Sequence, residues 1–453
     1  MYSRHLSLLI LLLAFGLSSI PLAAQETMLV TADESAPAFA CAGEDCQRLT
    51  WLPPGAGVTI IAEVEGQEIE GSALWYEVSL DCPCFNYERH SLEDLPDTKD
   101  PEKNIWHLWQ PYLSPDGTRI ATVTRDGLHV WDAASGKRLL HEPLDLFQPS
   151  SMAWAPDGSR IVAGGGFRIN HEGDEHVSQV EPERSLLLIN ADGSSPQLLS
   201  GQAGGVWGLA WSHDGTRIAT VGETLRILDA QQGDTLLSVE AQGMHLAWSP
   251  DDRNIALIES GADQETSVLR LRDAVDGGLV ASIEADTDTH FYFVSWAPDG
   301  GRLAYTTYTT VEREGNSGLV TGSALHVQDT FGQLPSQTLL TTSGWILGFD
   351  WSPDGRFLVL PLRGGIHLLD AGDGRRVASL APETAPNYGQ WQEGRFMLDS
   401  LDWSSDGWRV VAAGSDPAQM LGEMQSAALV WDLTHIPDGQ TRAFIHSSQL
   451  GSA

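Results

Sequence analysis

The chain carries 61 acidic against 26 basic side chains in 453 residues, a formal net charge of −35. Such a surface repels nucleic acid and anionic wall polymers, which excludes them as ligands and favours a cationic or neutral protein or peptide. With 42% hydrophobic residues there is material for packed cores in more than one domain, and no apolar run beyond the first residues is long enough to span a bilayer.

Residues 1–24 read as a secretory signal peptide. Arg4 and His5 form a polar head, residues 6–13 are an apolar run, and Pro21-Leu22-Ala23-Ala24 offers small residues for cleavage. The mature protein is therefore expected to be extracytoplasmic, secreted or in the cell envelope, with no integral membrane segment. All four cysteines, Cys41, Cys46, Cys82 and Cys84, lie close together. In an exported chain an even cluster reads as disulfides, with three pairings open and Cys41–Cys46 the first to test. Zinc is the competing reading, but these spacings depart from the usual C-x2-C knuckle.

After the first Cys pair come a Leu52-Pro53-Pro54-Gly55 turn, an alternating strand over residues 58–64, and a second strand through Trp75-Tyr76-Glu77-Val78. In this order they resemble a bacterial SH3-like domain, placed at residues 25–92. The resemblance implies a small β-barrel that contacts cell-wall peptides or acts as a spacer. Where that family closes its barrel with Gly-Trp-Val, this chain has Cys84-Phe85-Asn86-Tyr87-Glu88-Arg89-His90. Residues 93–105, charged and Pro-containing, make a linker.

Beyond the linker one element returns to the end of the chain. Trp211-Ser212-His213-Asp214-Gly215 has near-copies beginning at Trp154, Trp248, Trp296, Trp351 and Trp403, and a seventh at Leu113. The intervals are 41, 57, 37, 48, 55 and 52 residues, and a blade of four short strands needs about 40. Pro-Asp-Gly is turn chemistry: Pro presets φ, Asp bonds its local backbone and Gly accepts positive φ. A second mark, an Asp or Asn closing the third strand, recurs in phase at Asp132, Asn190, Asp229, Asp273, Asp329, Asp370 and Asp432. Two marks in register predict an all-β, seven-bladed β-propeller over residues 106–450, with strands a to d in each blade.

Residues 120–140, with Asp126-Gly127 before strand c and Trp131-Asp132 at its end, resemble a WD40 repeat. The Trp-Ser-Pro-Asp-Gly turns are equally similar to the repeat of TolB-type propellers. The Gly-His pair that opens a typical WD40 repeat is missing, so the resemblance does not carry its His-to-Asp network here, and inter-blade Trp packing must hold the fold. The segment Thr441-Arg442-Ala443-Phe444-Ile445-His446 reads as the last blade's own strand d, so the ring need not borrow an N-terminal strand.

The a–b and c–d turns are short throughout, whereas long insertions fall between b and c: residues 166–185, 261–267, 307–322 and 415–425, joined by the d–a connection 381–394. All of these emerge on one face of an antiparallel blade, and in repeat proteins such a face is often the binding face. Its aromatic and Arg residues, Phe167, Arg168, Tyr308, Arg313, Tyr388 and Trp391, are the candidate partner-binding residues. His171, Asp174 and His176 form the one metal-like cluster, yet an acidic loop gathers such residues by composition, so no metal and no cofactor is assigned. No nucleophile elbow or His-Glu-x-x-His is present. The chain is therefore expected to be a non-enzymatic interaction module, the alternative being a small-ligand-binding or hydrolytic propeller that uses its central channel mouth.

Overall fold

The computed structural model describes residues 27–30, 36–39, 48–52, 57–69, 72–79 and 84–91. From 111 to 452 it describes all but 125–126, 144–147, 171–176, 181–184, 200–204, 262–265, 286–287, 314–315, 331–334, 363–364, 381–396, 406, 408, 416–425, 437–441 and 447–449.

The repeated turn folds as its chemistry dictates. In blade one, Gly117 N–H donates to the Ser114 carbonyl at 2.7 Å with Pro115 at the second turn position. Asp116 Oδ1 accepts from Ser114 Oγ at 2.6 Å and from Thr118 N at 3.0 Å. The second mark works the same way on the c–d turn, where Asp132 Oδ1 accepts from Ser135 N at 2.8 Å. The two marks then meet: Ala133 N donates to the Thr118 carbonyl at 2.8 Å, and equivalent bonds join the two turns in blades two, three, four, five and six. The in-phase spacing seen in the sequence is thus a hydrogen-bonded pair of turns on one face.

Blades one to seven are antiparallel sheets, blade five for example running Thr289–Trp296, Arg302–Arg313, Asn316–Asp329 and Gln337–Thr342 in spatial order. Strand a of every blade lies against strand a of the next all the way round, so these strands line the axis. Between neighbouring blades sits one apolar cluster per seam, seven in all, including Ile120, Trp131, Val411 and Val430 where blade one meets blade seven. Among the described residues there are no helices.

Closure differs from the sequence expectation. Strand d of blade seven is Cys84–Ser91, which pairs antiparallel with Ser426–Ile436 from Leu429↔Ser91 to Ile436↔Cys84. The segment that departs from the SH3 pattern is therefore the one the propeller uses. Arg442–His446, expected in that place, instead pairs with Ser72–Ser79, with Arg442 opposite Ser79. The physical reason is length: an eight-residue register on Cys84–Ser91 satisfies more of the blade-seven edge than the five residues of Arg442–His446 could. The strands read as a self-contained SH3-like barrel share one seven-stranded sheet with Arg442–His446 and Leu450–Ser452. Both chain ends are thereby tied together next to the ring.

Cys41, Cys46 and Cys82 lie outside the described residues, and of Cys84 only the strand backbone is described. The expected disulfides therefore fall outside the described side chains.

Candidate binding face

The face that carries the turns is internally satisfied. An Arg six residues after the strand-a Trp reaches into the next blade: Arg119, Arg160, Arg217 and Arg302 lie over Trp154, Trp211, Trp248 and Trp351 at 4.7–5.1 Å from the ring centroids. Three of these guanidinium groups also donate to a carbonyl of the next blade's a–b turn, as Arg217 Nη2 does to Asp252 at 2.8 Å and Arg302 Nη2 to Gly355 at 2.6 Å. Arg409 closes the circle by donating to the Gly117 carbonyl at 2.7 Å, and Ser405 Oγ donates to the Pro115 carbonyl beside it. Blades four and six lack the clamp because Asn254 and Phe357 stand at that position.

Two departures from the turn motif answer each other. Blade three has His213 where the others have Pro or Ser, which frees a backbone N–H in place of proline's blocked one. Blade four has Asp252 where Gly is usual, held at φ 57°. The Asp252 carboxylate accepts from His213 N at 2.7 Å, from Asp214 N at 2.8 Å and contacts His213 Nδ1 at 3.0 Å. These contacts offset the cost of a non-glycine residue in the left-handed region.

The axis holds the acids that a linear reading did not bring together. Asp350 and Asp402, each the residue before a strand-a Trp, hydrogen-bond to each other. Asp350 also accepts from Trp351 N at 2.8 Å and Trp403 N at 2.9 Å, and Asp402 accepts from Leu113 N at 2.6 Å. Burial raises Asp350 to about 6, while burial and the neighbouring Asp350 charge push Asp402 well above the usual carboxylate range. Burial, reinforced by Asp402, also raises the Tyr112 hydroxyl above its ordinary value. The pair shares a proton and ties blades six, seven and one together through backbone N–H groups. On strand a of blade four, burial lowers His245 to about 4, and its ring packs on Phe293 at 4.0 Å, so it is a neutral seam residue. In the same blade Glu259 is buried between Arg270 at 2.7 Å and Arg272 at 2.5 Å, a set that carries one net positive charge.

On the opposite face blades two and five carry unlike extensions. The blade-two insertion is a hairpin arm in which Arg160–Asn170 runs past the blade and pairs with Val177–Val180, Phe167 opposite Val180 and Arg168 opposite Gln179. In blade five the insertion is likewise strand, with Thr310 opposite Val320 and Arg313 opposite Asn316 near its tip. The expected loops are arms because an antiparallel pair can extend its own ladder without leaving backbone groups unpaired. With blades three and four between them in the ring, the two arms stand apart. Tyr388, Trp391, His171, Asp174 and His176 lie outside the described residues. Among the described residues no group of three His, Cys, Asp or Glu is placed to hold a metal.

Tyr308 is the one sequence candidate whose side chain is described, and it sits in an aromatic cluster. Its ring lies 5.0 Å from His290, 6.2 Å from Tyr292 and 5.0 Å from Trp345. Trp345, in the d–a connection before blade six, is 40% exposed. Sequence reasoning passed over it, although a Trp six residues ahead of Trp351 fits neither repeated mark. The structure adds a second feature that the sequence does not show: strand a carries a register irregularity at Ser150, Met244, Tyr292 and Asp399, each four residues before its Trp. Bulges of this kind re-aim a side chain, and Met244 stands 60% exposed.

Fold and faces together define a WD40-like seven-bladed propeller with one mechanical face and one variable face. A WD domain, G-beta repeat model matches residues 193–227, from the c–d turn of blade two into strand c of blade three. The chain is similar to Protein HIR1 of Chaetomium globosum, 21% identical over 240 residues that cover 45% of this chain and 22% of the relative. It is also similar to Protein HIR1 of Phaeosphaeria nodorum, 23% identical over 269 residues covering 52% and 24%. The chain thus spans under a quarter of the length of these curated relatives. Among solved structures, a chain of Kuenenia stuttgartiensis hydrazine synthase aligns with a TM-score of 0.51 at 15% identity, covering 77% of this chain and 98% of that one. That likeness is one of fold alone.

The relatives correct the expected location. Similarity to HIR1 proteins points to an intracellular rather than an extracytoplasmic place, and the expectation of secretion falls with it. Residues 1–24, read as a signal peptide, lie outside the described residues. Among the described residues no helix is long and apolar enough to cross a membrane.

Proposed function

We propose that this propeller is a non-enzymatic interaction module that presents its arm-bearing face to a protein or peptide of cationic or neutral character. The observation that carries this reading is the division of labour between faces. Repeated polar groups on the turn face are hydrogen-bonded within the ring, whereas the other face carries unlike arms and an exposed Trp345. Phe167, Arg168, Tyr308 and Arg313 are the anchors along those arms, joined by Tyr388 and Trp391 from the connection before blade seven. Aromatic and Arg anchors ringed by carboxylates set both the grip and the charge of a partner. Residues 25–92, read as SH3-like, serve as a spacer, and the pairing of Cys84–Ser91 with blade seven supports a further role in holding the ring shut.

The test replaces residues 167–184 by a short Gly-Ser link and measures capture of the native partner from cell extract. A variant altered in the turns of the opposite face serves as control. Loss of at least about tenfold, roughly 1.4 kcal/mol, in a folded arm variant supports the reading. Unchanged capture by that variant, with loss in the control, assigns binding to the turn face instead.

A further inference from the structure

In strand a of blade five the bulge between Phe291 and Phe293 separates three consecutive aromatic residues. Phe291 packs into the seam with blade four, Phe293 into the seam with blade six, and Tyr292 is left to meet Trp345 at 5.9 Å and Tyr308 at 6.2 Å. Two tyrosines on rigid strands thus support Trp345, which alone of the three belongs to a connecting segment and is 40% exposed. The rings contact one another too closely to enclose a ligand between them, so what they offer is the open face of the indole.

The net charge of the chain favours a cationic ligand. The chain carries −35, and on the same blade Asp288 is exposed and held at φ 67° with its carbonyl accepting from Thr310 N at 3.2 Å. A cation over an indole is attracted by the ring quadrupole, and a planar guanidinium adds stacking that an ammonium lacks. The turn face already uses this pairing four times, with guanidinium groups 4.7–5.1 Å from Trp rings, every one of them internal.

We propose that Trp345, backed by Tyr308 and Tyr292, is a stacking platform for an arginine side chain of a basic partner segment. The proposal rests on the interaction-module reading and deepens it by naming the residue on the partner that is gripped.

The experiment titrates the full chain with a hexa-arginine peptide and, separately, a hexa-lysine peptide, following Trp fluorescence and calorimetric heat at about physiological ionic strength. Trp345→Ala, Trp345→Phe and the exposed rim variant Leu236→Ala are compared with the unaltered protein, and thermal unfolding is recorded for each. The expected result is tighter binding of hexa-arginine than hexa-lysine, a loss of about fivefold to tenfold in Trp345→Ala, partial recovery in Trp345→Phe, and no change in Leu236→Ala. Equal affinity of Trp345→Ala and the unaltered protein overturns the platform and reduces binding to the general negative field. Loss of the arginine preference in no variant overturns it as well. If native-partner capture depends on residues 167–184 but not on Trp345, the proposed function stands and this inference alone fails.

Discussion

The two faces of the propeller obey opposite rules. On the turn face most blades repeat one set of groups, and those groups bond to the neighbouring turn or the neighbouring blade. On the arm face blade two grows a hairpin, blade five extends its own central strands, and blade six is entered past an exposed Trp. What repeats serves most of the seams; what does not repeat is unconstrained by the ring and available for recognition. The acids obey the same contrast. Hydrogen bonds from Ser159 hold Asp157 on the turn face below the usual carboxylate range, while burial pushes Asp350 and Asp402 at the axis above it.

The largest effect should come from breaking the ring that supports both faces. Deleting Cys84–Ser91 exposes the edge of Ser426–Ile436, and loss of cooperative unfolding or a fall in Tm beyond roughly 10 °C is expected by calorimetry. Deleting residues 442–452 removes strands of the other sheet only and should cost less. The reverse order would restore Arg442–His446 as the closing strand.

Next comes the axis. Folded-state pKa values raised above the unfolded ones mean that the acid pair contributes stability below about pH 4, and that this contribution is lost as pH rises through about 6. Between pH 5 and 8 the pair's contribution should therefore fall as pH rises. Asp350→Asn keeps an acceptor for Trp351 or Trp403 N–H and a donor for Asp402, so urea midpoints of that variant should be flatter over this window. The turn-face acids have the opposite sign, losing their contribution only as pH falls below the ordinary carboxylate range. A profile unchanged by Asp350→Asn would remove the shared proton from the axis.

How much of this was legible depended on whether a residue's partner lay in its own repeat. Pro115, Asp116 and Asp132 act within their blade, so the two marks read off the chain correctly predicted seven blades. Asp350 and Asp402 act across a seam and lie more than fifty positions apart, so nothing local announced them. Arg119, Arg160, Arg217, Arg302 and Arg409 also act across seams, but their fixed place after the Trp or Leu was visible and went unread. Ring closure was missed because strand d needs only a free edge of suitable length, and both ends of the chain offered one.

The clamp gives a medium effect. Arg217→Ala removes the group over Trp248 and the bond to Asp252 and should cost about 1–3 kcal/mol by chemical denaturation. Asn254→Arg, at a seam that lacks the clamp, should recover about 0.5–1 kcal/mol by stacking on Trp296. Equal and negligible changes at the two seams would strip the turn face of its mechanical role.

The smallest effect on stability belongs to the arm face. Replacing residues 167–184 should change unfolding free energy by no more than about 0.5 kcal/mol, and Trp345→Ala, which loses its ring contacts with Tyr292 and Tyr308, by about 0.5–1.5 kcal/mol. A loss of several kcal/mol would show that the arms are part of the scaffold, and the contrast between the faces would disappear.

Closure by Cys84–Ser91 has a consequence for how the molecule is made. The ribosome delivers that strand before any blade exists and its partner, Ser426–Ile436, only when six blades have already emerged. Each seam can assemble as its two blades appear, but the last blade is completed by a strand more than three hundred residues earlier in the chain and waits on the slowest kind of contact. During synthesis the early strand is an edge without its blade-seven partner. A nascent chain stopped anywhere before residue 426 is an open arc whose last blade faces solvent, which gives the cell a way to distinguish a finished protein from an interrupted one.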